Sequence, residues 1–273
     1  MQLAAILFFF IFVLLIQQTL RTPYELPKEV WTHWDSENPP DHVQTTVNRM
    51  KEMLPDWNVN FLTTRNFLQS IPTKEIPANF DTLSVAHQAD WIRLKLLNQY
   101  GGCWMDSGII LNTSITPLYR ECVKQRAELL VFKILGTQTN PAFPIAENWF
   151  IMAPKQSPFV SLWLQEFEKA IEMGFHSYKK QLKEEGVDLQ KLMMNPNDVY
   201  LTQHGCFQKV LQHRMPNAKI VYYPAEETMF KIHADCKWNE KCIAERLKDR
   251  AYCQTIPYIK LRGADRKLVN SSQ

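Results

Sequence analysis

Glycine is scarce in this chain, with 8 residues in 273 against 16 prolines. That excludes a collagen-like repeat and glycine-rich flexible linkers. An excess of charge of one sign is missing too. The 31 Lys and Arg are nearly balanced by 28 Asp and Glu, a net charge of +3. So small a field excludes a strongly basic nucleic-acid binder. There is no internal repeat and no low-complexity tract. H-E-x-x-H and G-x-S-x-G are absent, so neither usual hydrolase motif is present. The six cysteines, at 103, 122, 206, 236, 242 and 253, are spaced unlike a zinc site. Disulfides in a lumenal body and buried free thiols both remain open. What is abundant is apolar: 45% hydrophobic residues, with 8 Trp, 9 Tyr, 15 Phe and 10 Met. That excludes a disordered chain and implies a dense core.

The longest uncharged run, LAAILFFFIFVLLI, occupies residues 3–16. As a helix it is roughly 21 Å long at about 1.5 Å per residue, shorter than a hydrocarbon layer of about 30 Å. Gln17, Gln18 and Thr19 can extend it into the headgroup region. A cleaved signal, a buried helix and an uncleaved anchor compete. No basic start and no A-x-A site precede residue 20, which favours the anchor. Residues 1–20 are therefore expected to be a membrane helix and residues 21–273 the folded body. Arg21 and Lys28 follow the helix, which by the positive-inside rule keeps the body cytosolic. The sequons at Asn112 and Asn270 point weakly to the lumenal side instead.

The body reads as alternating strands and helices. PKEVWTHW (27–34) is a first strand. Asp41 opens a helix with Val43, Val47, Met50 and Leu54 on one stripe, and NVNFLT (58–63) is a second strand. This β-α-β start argues for a mostly parallel sheet. Residues 81–100 form the clearest helix, with Val85, Ala89, Ile92 and Leu96 on one face and Gly101-Gly102 at its end. CWMDSGIIL (103–111) reads as one strand carrying an acid. Further strands are expected at 128–135, 148–153 and 219–223. Helices are expected from Ser157 to about Met173 and from Asn197 or Asp198 through His213, with a solvated segment at 179–191 and a basic tail from Ala234.

Asp90 and Arg93 lie about 300° apart around the helix, so they share a face. Asp106 interrupts an apolar run at the end of an expected strand, where α/β sheets bind ligands. An acid there needs a cation or hydrogen-bond donors, and it can hold a divalent ion that bridges a diphosphate. A turn-capping role through Ser107-Gly108 is the competing reading.

The blocks HQADWIR (87–93) and YGGCWMD (100–106) resemble the DXD-type glycosyltransferases, most closely their capsular-polysaccharide-synthesis branch. PKEVWTHW with ENPP (37–40), AENWFIMA (146–153) and PYIKL (257–261) extend the resemblance over roughly 27–261. It implies an α/β, GT-A (Rossmann-like) fold and transfer of a sugar, with retention, from a nucleotide-sugar donor to a glycan or other hydroxyl acceptor. The small net charge of +3 leaves no nucleic-acid partner expected. Asp90 would contact the ribose or donor sugar, Arg93 the diphosphate or sugar hydroxyls, and Trp31, Thr32 and His33 would line the nucleoside pocket. Read on their own chemistry, Glu147 and Asn148 can meet acceptor or donor or hold a turn, and Trp104, Trp149 and Phe150 can offer stacking surfaces, although Trp is also a common core residue and the core reading is favoured for Trp104. Asp106 would be the first metal-binding acid for Mn2+ or Mg2+. Position 108, where a second acid would stand, is Gly108. His204 or His233 would then complete the metal site, or Lys260 or Arg262 would neutralise the diphosphate in the metal's place; plain helix or loop histidines and a solvated basic tail are the competing readings. The alternative is a catalytically inactive relative that keeps the fold as a glycan-binding or scaffold protein. Anchored enzymes of this kind usually place the body in the lumen of the endomembrane system, whereas the flanking charges favour the cytosol.

Overall fold

The computed structural model describes residues 24–270 except 193, 194 and 196. The expected membrane helix at 1–20 lies outside them. Among the described residues, no helix is long and apolar enough to cross a membrane.

Strand β1 (Glu29–His33) leads through helix α1 (Asp41–Met53) to β2 (Asn58–Leu62). Helix α2 (Val85–Tyr100) precedes β3 (Gly102–Met105) and β4 (Ile109–Leu111), followed by α3 (Thr116–Gln125) and β5 (Leu129–Lys133). Then come β6 (Phe150–Ala153), α4 (Pro158–Met173), α5 (Phe175–Glu184), α6 (Thr202–Lys209) and β7 (Ile220–Pro224). The carboxyl-terminal part holds α7 (Lys231–Asp235), α8 (Glu240–Lys248), β8 (Tyr258–Lys260) and α9 (Gly263–Asn270). The main sheet has the order β2-β1-β3-β6-β5-β7, and β4 pairs with β8 in a separate two-stranded sheet.

The fold is mixed α/β. β1–β2, β1–β3 and β5–β7 are parallel, while β6 runs antiparallel to both β3 and β5. Period-2 alternation decides how the sheet is buried. Trp104, Leu129, Val131 and Ile151 enter one apolar cluster, packed under α2 and α4. Their strand neighbours Cys103, Met105, Leu130, Phe132, Phe150 and Met152 enter the other, which Met50 of α1 and Leu118 of α3 join. Both faces are covered, so these strands read as continuous hydrophobic runs.

Several expectations change. The strand expected at 103–111 breaks at Asp106. The Asp106 N–H donates to the Trp149 carbonyl, and the Ile109 N–H donates back to the Asp106 carbonyl. The chain thereby turns out of the main sheet, and β4 pairs with β8 instead. Helix α2 starts at Ser84, whose Oγ accepts from the His87 N–H, rather than at residue 81. Its expected apolar face is split: Ile92 and Leu96 are buried, while Val85 is half exposed. The segment taken as solvated from 179 overlaps α5, where Tyr178, Lys179 and Leu182 are buried. The helix expected from Asn197 begins at Thr202 and ends in a π-turn, Val210–Arg214. The carboxyl-terminal tail is folded around its own apolar cluster of Ile232, Ile243, Ile256, Ile259 and Leu261.

Both cysteine readings hold in part. Cys236 and Cys242 form a disulfide, and Cys103, Cys122 and Cys206 are buried free thiols. Asn112 of the first sequon donates its amide to the carbonyls of Cys253 and Ile256, each at 2.8 Å. A glycan on that nitrogen would displace these bonds, so this sequon lends no support to a lumenal body.

The Gly101-Gly102 pair sets how α2 meets the sheet. Both have positive φ, 69° and 96°, a region open to glycine at little cost. A Cβ at Gly102 would lie 2.5 Å from the Glu29 carbonyl oxygen on β1. Gly102→Ala is therefore expected to destabilise the fold by about 3 kcal/mol. Urea denaturation checks this, and an unchanged midpoint would contradict the close approach of β1 and β3.

Candidate active site

A cleft of about 400 Å³ opens at the carboxyl ends of β1 and β3. That volume falls within the rough 300–1,000 Å³ range of small-molecule sites. From β1 the chain crosses to β2 on one side, while β3 lies on the other. The cleft therefore sits at a topological switch point, where α/β sheets leave room for ligands.

The structure brings Asp90, Arg93 and Asp106 together. Arg93 pairs with Asp90 one helical turn back, and its Nη2 donates to Asp106 Oδ1 at 3.2 Å. The Trp104 indole N–H donates to the same oxygen at 3.0 Å, and the Arg93 guanidinium lies 4.8 Å from the Trp104 ring centre. Trp104 is thus a core residue that also shapes the site. Lys260 Nζ, on β8, reaches Asp106 Oδ2 at 2.8 Å. The Leu261 N–H donates to the Gly108 carbonyl at 2.8 Å, which fixes β8 beside the turn. Lys260 is buried, not a residue of a solvated tail.

Behind these groups, Asn148 donates to Asp90 Oδ1 at 3.1 Å and to Gln203 Oε1 at 2.7 Å. Gln203 in turn accepts from Arg93 and donates to the Asp90 carbonyl at 2.7 Å. Asn148 reaches this network because β6 is antiparallel to β3, with Phe150 opposite Met105. The residues just before β6 therefore lie beside Asp106.

Electrostatics follow from this packing. Burial opposes the charge on Asp106, but Lys260 and Arg93 outweigh it and hold the carboxyl at about 2. It is ionised at all ordinary pH. Burial drives Asp90 the other way, upward, against the pull of Arg93. Burial lowers His33 to about 4, and burial with repulsion from Arg93 lowers His204 to about 4, so both imidazoles are neutral near pH 7.

Other expected site residues stand elsewhere. Trp31 is buried, donates its indole N–H to the Gly101 carbonyl at 3.0 Å, and packs on Tyr100. Thr32 is fully buried. Neither lines the cleft, because both lie inside β1 between the two helical layers. His33 does line it, together with Trp34 and Asp35, which sequence reasoning passed over. Trp149 is buried against Phe132, with ring centres 5.2 Å apart, and Phe150 is fully buried. Neither offers a face to a sugar. Glu147 accepts from the Trp149 indole at 2.8 Å and does not line the cleft. His233 is buried against Asp265, which also holds Arg262. Strand-end position was a usable signal for Trp34 and Asp35. Tyr200, Gln203 and Arg266 carried none, since only the fold brings them here.

The donor set does not fit the expected Mn2+ or Mg2+. Both Asp106 oxygens are already held by cations, the second acid is Gly108, and a buried neutral His204 supplies at most one nitrogen. Among the described residues, no three His, Cys, Asp or Glu side chains gather as a metal site would require.

The chain belongs to the capsular polysaccharide synthesis protein family, whose family model matches residues 13–173. It is similar to the O-glycosyltransferase braB of Annulohypoxylon truncatum, 26% identical over 177 residues, covering 58% of this chain and 42% of that protein. It is also similar to the O-glycosyltransferase PaGT of Phomopsis amygdali, 27% identical over 161 residues, covering 53% of this chain and 39% of the relative. The matched region thus spans about two-fifths of the length of these curated relatives. Among solved structures, the PaToxG glycosyltransferase aligns over 92% of this chain and 86% of its own at 16% identity, with a TM-score of 0.47.

One titration near the site is measurable. Burial raises the Glu147 carboxyl from 4.5 to about 7, against the Trp149 hydrogen bond and Lys260. The folded state then binds more protons than the unfolded state between these values. Stability should fall as pH rises from about 4.5 to about 7, by roughly 3 kcal/mol. Glu147→Gln should remove this slope. Parallel pH slopes for the two proteins in urea titrations would refute the shift.

Proposed function

We propose that this protein is a glycosyltransferase that moves a sugar from a nucleotide-sugar donor to a hydroxyl of a glycan or other acceptor, with retention at the anomeric carbon. The observation that carries the reading is Asp106, held ionised between Arg93 and Lys260 at the switch-point cleft. Membership of the family supports it, as does the likeness to relatives named O-glycosyltransferases. The parallel β2-β1-β3 half, with an antiparallel β6 leading away from the cleft, is compatible with a GT-A arrangement.

Sugar transfer sets two physical demands. The departing nucleotide diphosphate gains negative charge, which preorganised cations and donors must meet. The anomeric carbon must also be held against the acceptor hydroxyl, with water kept out. Arg93 and Lys260 answer the first demand, because Asp106, Asp90 and Gln203 fix their positions before any ligand arrives. For the second, Asn148 and Asp90 present polar groups to sugar hydroxyls, and Tyr200, 64% exposed at the cleft, offers a ring face. His33 and Trp34, at the end of β1, stand where the nucleoside would enter.

The apolar segment at 3–16 is read as a membrane anchor. The Cys236–Cys242 disulfide supports a body on the lumenal, oxidising side, against the flanking charges. Partners are then the nucleotide sugar, the acceptor and the bilayer.

Asp106→Asn should lower sugar transfer and donor hydrolysis at least about 100-fold. It should also lower the melting temperature, because Lys260 stays buried without its carboxylate. Rates taken well below that temperature, across a panel of nucleotide sugars, check this. Activity near that of the unaltered protein would refute the assignment, and NMR of the product anomer reads retention.

A further inference from the structure

The cations of the cleft are not equivalent. Arg93 and Lys260 are both committed to carboxylates. Arg266, on α9, is not. Its guanidinium lines the cleft and lies 5.4 Å from the Trp34 ring centre, and among the described residues none of its side-chain nitrogens finds a hydrogen-bond or ion-pair partner. Its Nε is also shielded from water with no partner. Buried donors are normally satisfied, so an unmet guanidinium at the wall of a cleft points to a ligand rich in acceptor oxygens.

Its location sharpens the point. A Cβ added at Gly108 would lie 3.6 Å from Arg266 Cδ and 3.8 Å from Nε, and 3.0 Å from the Leu261 carbonyl oxygen. The arginine stem thus lies in contact distance of the place where an acid at 108 would begin. A positive group therefore stands beside the position where a second acid would be. Arg93 Nε and His204 Nδ1, on the other cleft walls, are unpartnered as well. Among the described residues lining the cleft, the one carboxylate outside the ion network is Asp35.

We propose that Arg266 is the diphosphate-binding residue of this cleft and that it stands in for the second acid and its metal, so that a nucleoside diphosphate binds without a divalent ion. This rests on the glycosyltransferase reading above. Guanidinium suits the task because its planar fork meets two phosphate oxygens at once. Stacking on Trp34 keeps the fork oriented at little entropic cost. Arg93 and Lys260, already neutralised in part by Asp106, supply the remaining positive charge. The helix that carries Arg266 is anchored by Asp265, which accepts from the backbone N–H and guanidinium of Arg262 and pairs with buried His233.

The test is calorimetric titration of the full chain in detergent with UDP and with GDP, first in excess EDTA and then with Mn2+. At least one diphosphate should bind in EDTA, and Mn2+ should change its Kd by less than about threefold. Arg266→Ala should weaken that binding roughly 10- to 100-fold, the size of a lost charge-assisted phosphate contact, and should reduce its salt dependence. Affinity for the phosphate-free nucleoside should stay unchanged. Because Arg266 has no ion-pair partner, its removal should leave the melting temperature nearly unaltered. Arg266→Lys, which keeps the charge and loses the fork, should fall between the two, and it provides the reading should the alanine variant not fold. Binding that requires Mn2+ and is indifferent to Arg266 would overturn the inference and leave the transferase reading standing. Failure of both diphosphates to bind under either condition would overturn both.

Discussion

The Asp106 carboxylate is the hinge of this structure. It is a partly buried acid that three elements satisfy: α2 through Arg93, β3 through the Trp104 indole and β8 through Lys260, the side chains of both cations being almost wholly buried. A charge in that position without partners would cost several kcal/mol, and removing one member of such a group leaves the others uncompensated, at about 3–5 kcal/mol. The same group therefore ties the carboxyl-terminal strand to the sheet and fixes the electrostatics of the cleft. Catalytic preorganisation and tertiary closure become one constraint: the residues that would meet a ligand's charge are held by the residues that hold the fold.

Sheet topology explains why the site forms where it does. β1 and β3 are parallel neighbours, so their carboxyl ends open onto the same edge. β6 enters antiparallel and delivers Asn148 to that edge. The Asp106 turn then ejects the chain from the main sheet, so that β4 can pair with β8. Without that turn, Lys260 and Arg266 would have no route to the cleft. The scarcity of glycine is informative here. Gly101 and Gly102 stand at the junction of α2 and β3, where positive φ and backbone contacts admit little else, and Gly108 stands where a side chain would meet the Leu261 carbonyl and Arg266.

Much of this was legible along the chain. The β-α-β opening, helix α2 with its glycine stop, and the apolar runs of β5 and β6 follow from periodicity and capping, which are local properties. So do Asp90 and Arg93, because i and i+3 share a helical face, and Asp106, because an acid inside an apolar run is conspicuous. The errors share a cause. Trp31, Thr32 and Trp149 were read as ligand-facing because they flank the right motifs, but burial between layers is decided by packing. The basic tail, for which no element was expected, is a folded cap because β8 finds β4 from about 150 residues away in sequence. The strand read through 103–111 breaks because the Asp106 carbonyl closes a turn with the Ile109 N–H and residues 109–111 then pair with β8, a segment distant along the chain.

The sequence by itself determined the secondary-structure rhythm, the two-sided burial of the central strands and the identity of the acid-and-arginine pair, because each depends on residues within a few positions of one another. Only the tertiary structure decided that Lys260, Gln203, Tyr200 and Arg266 share one cleft, and that both oxygens of Asp106 face cations. Those facts arise from long-range strand pairing: local sequence shows that a charge needs partners, but which distant residues supply them is decided only by the fold.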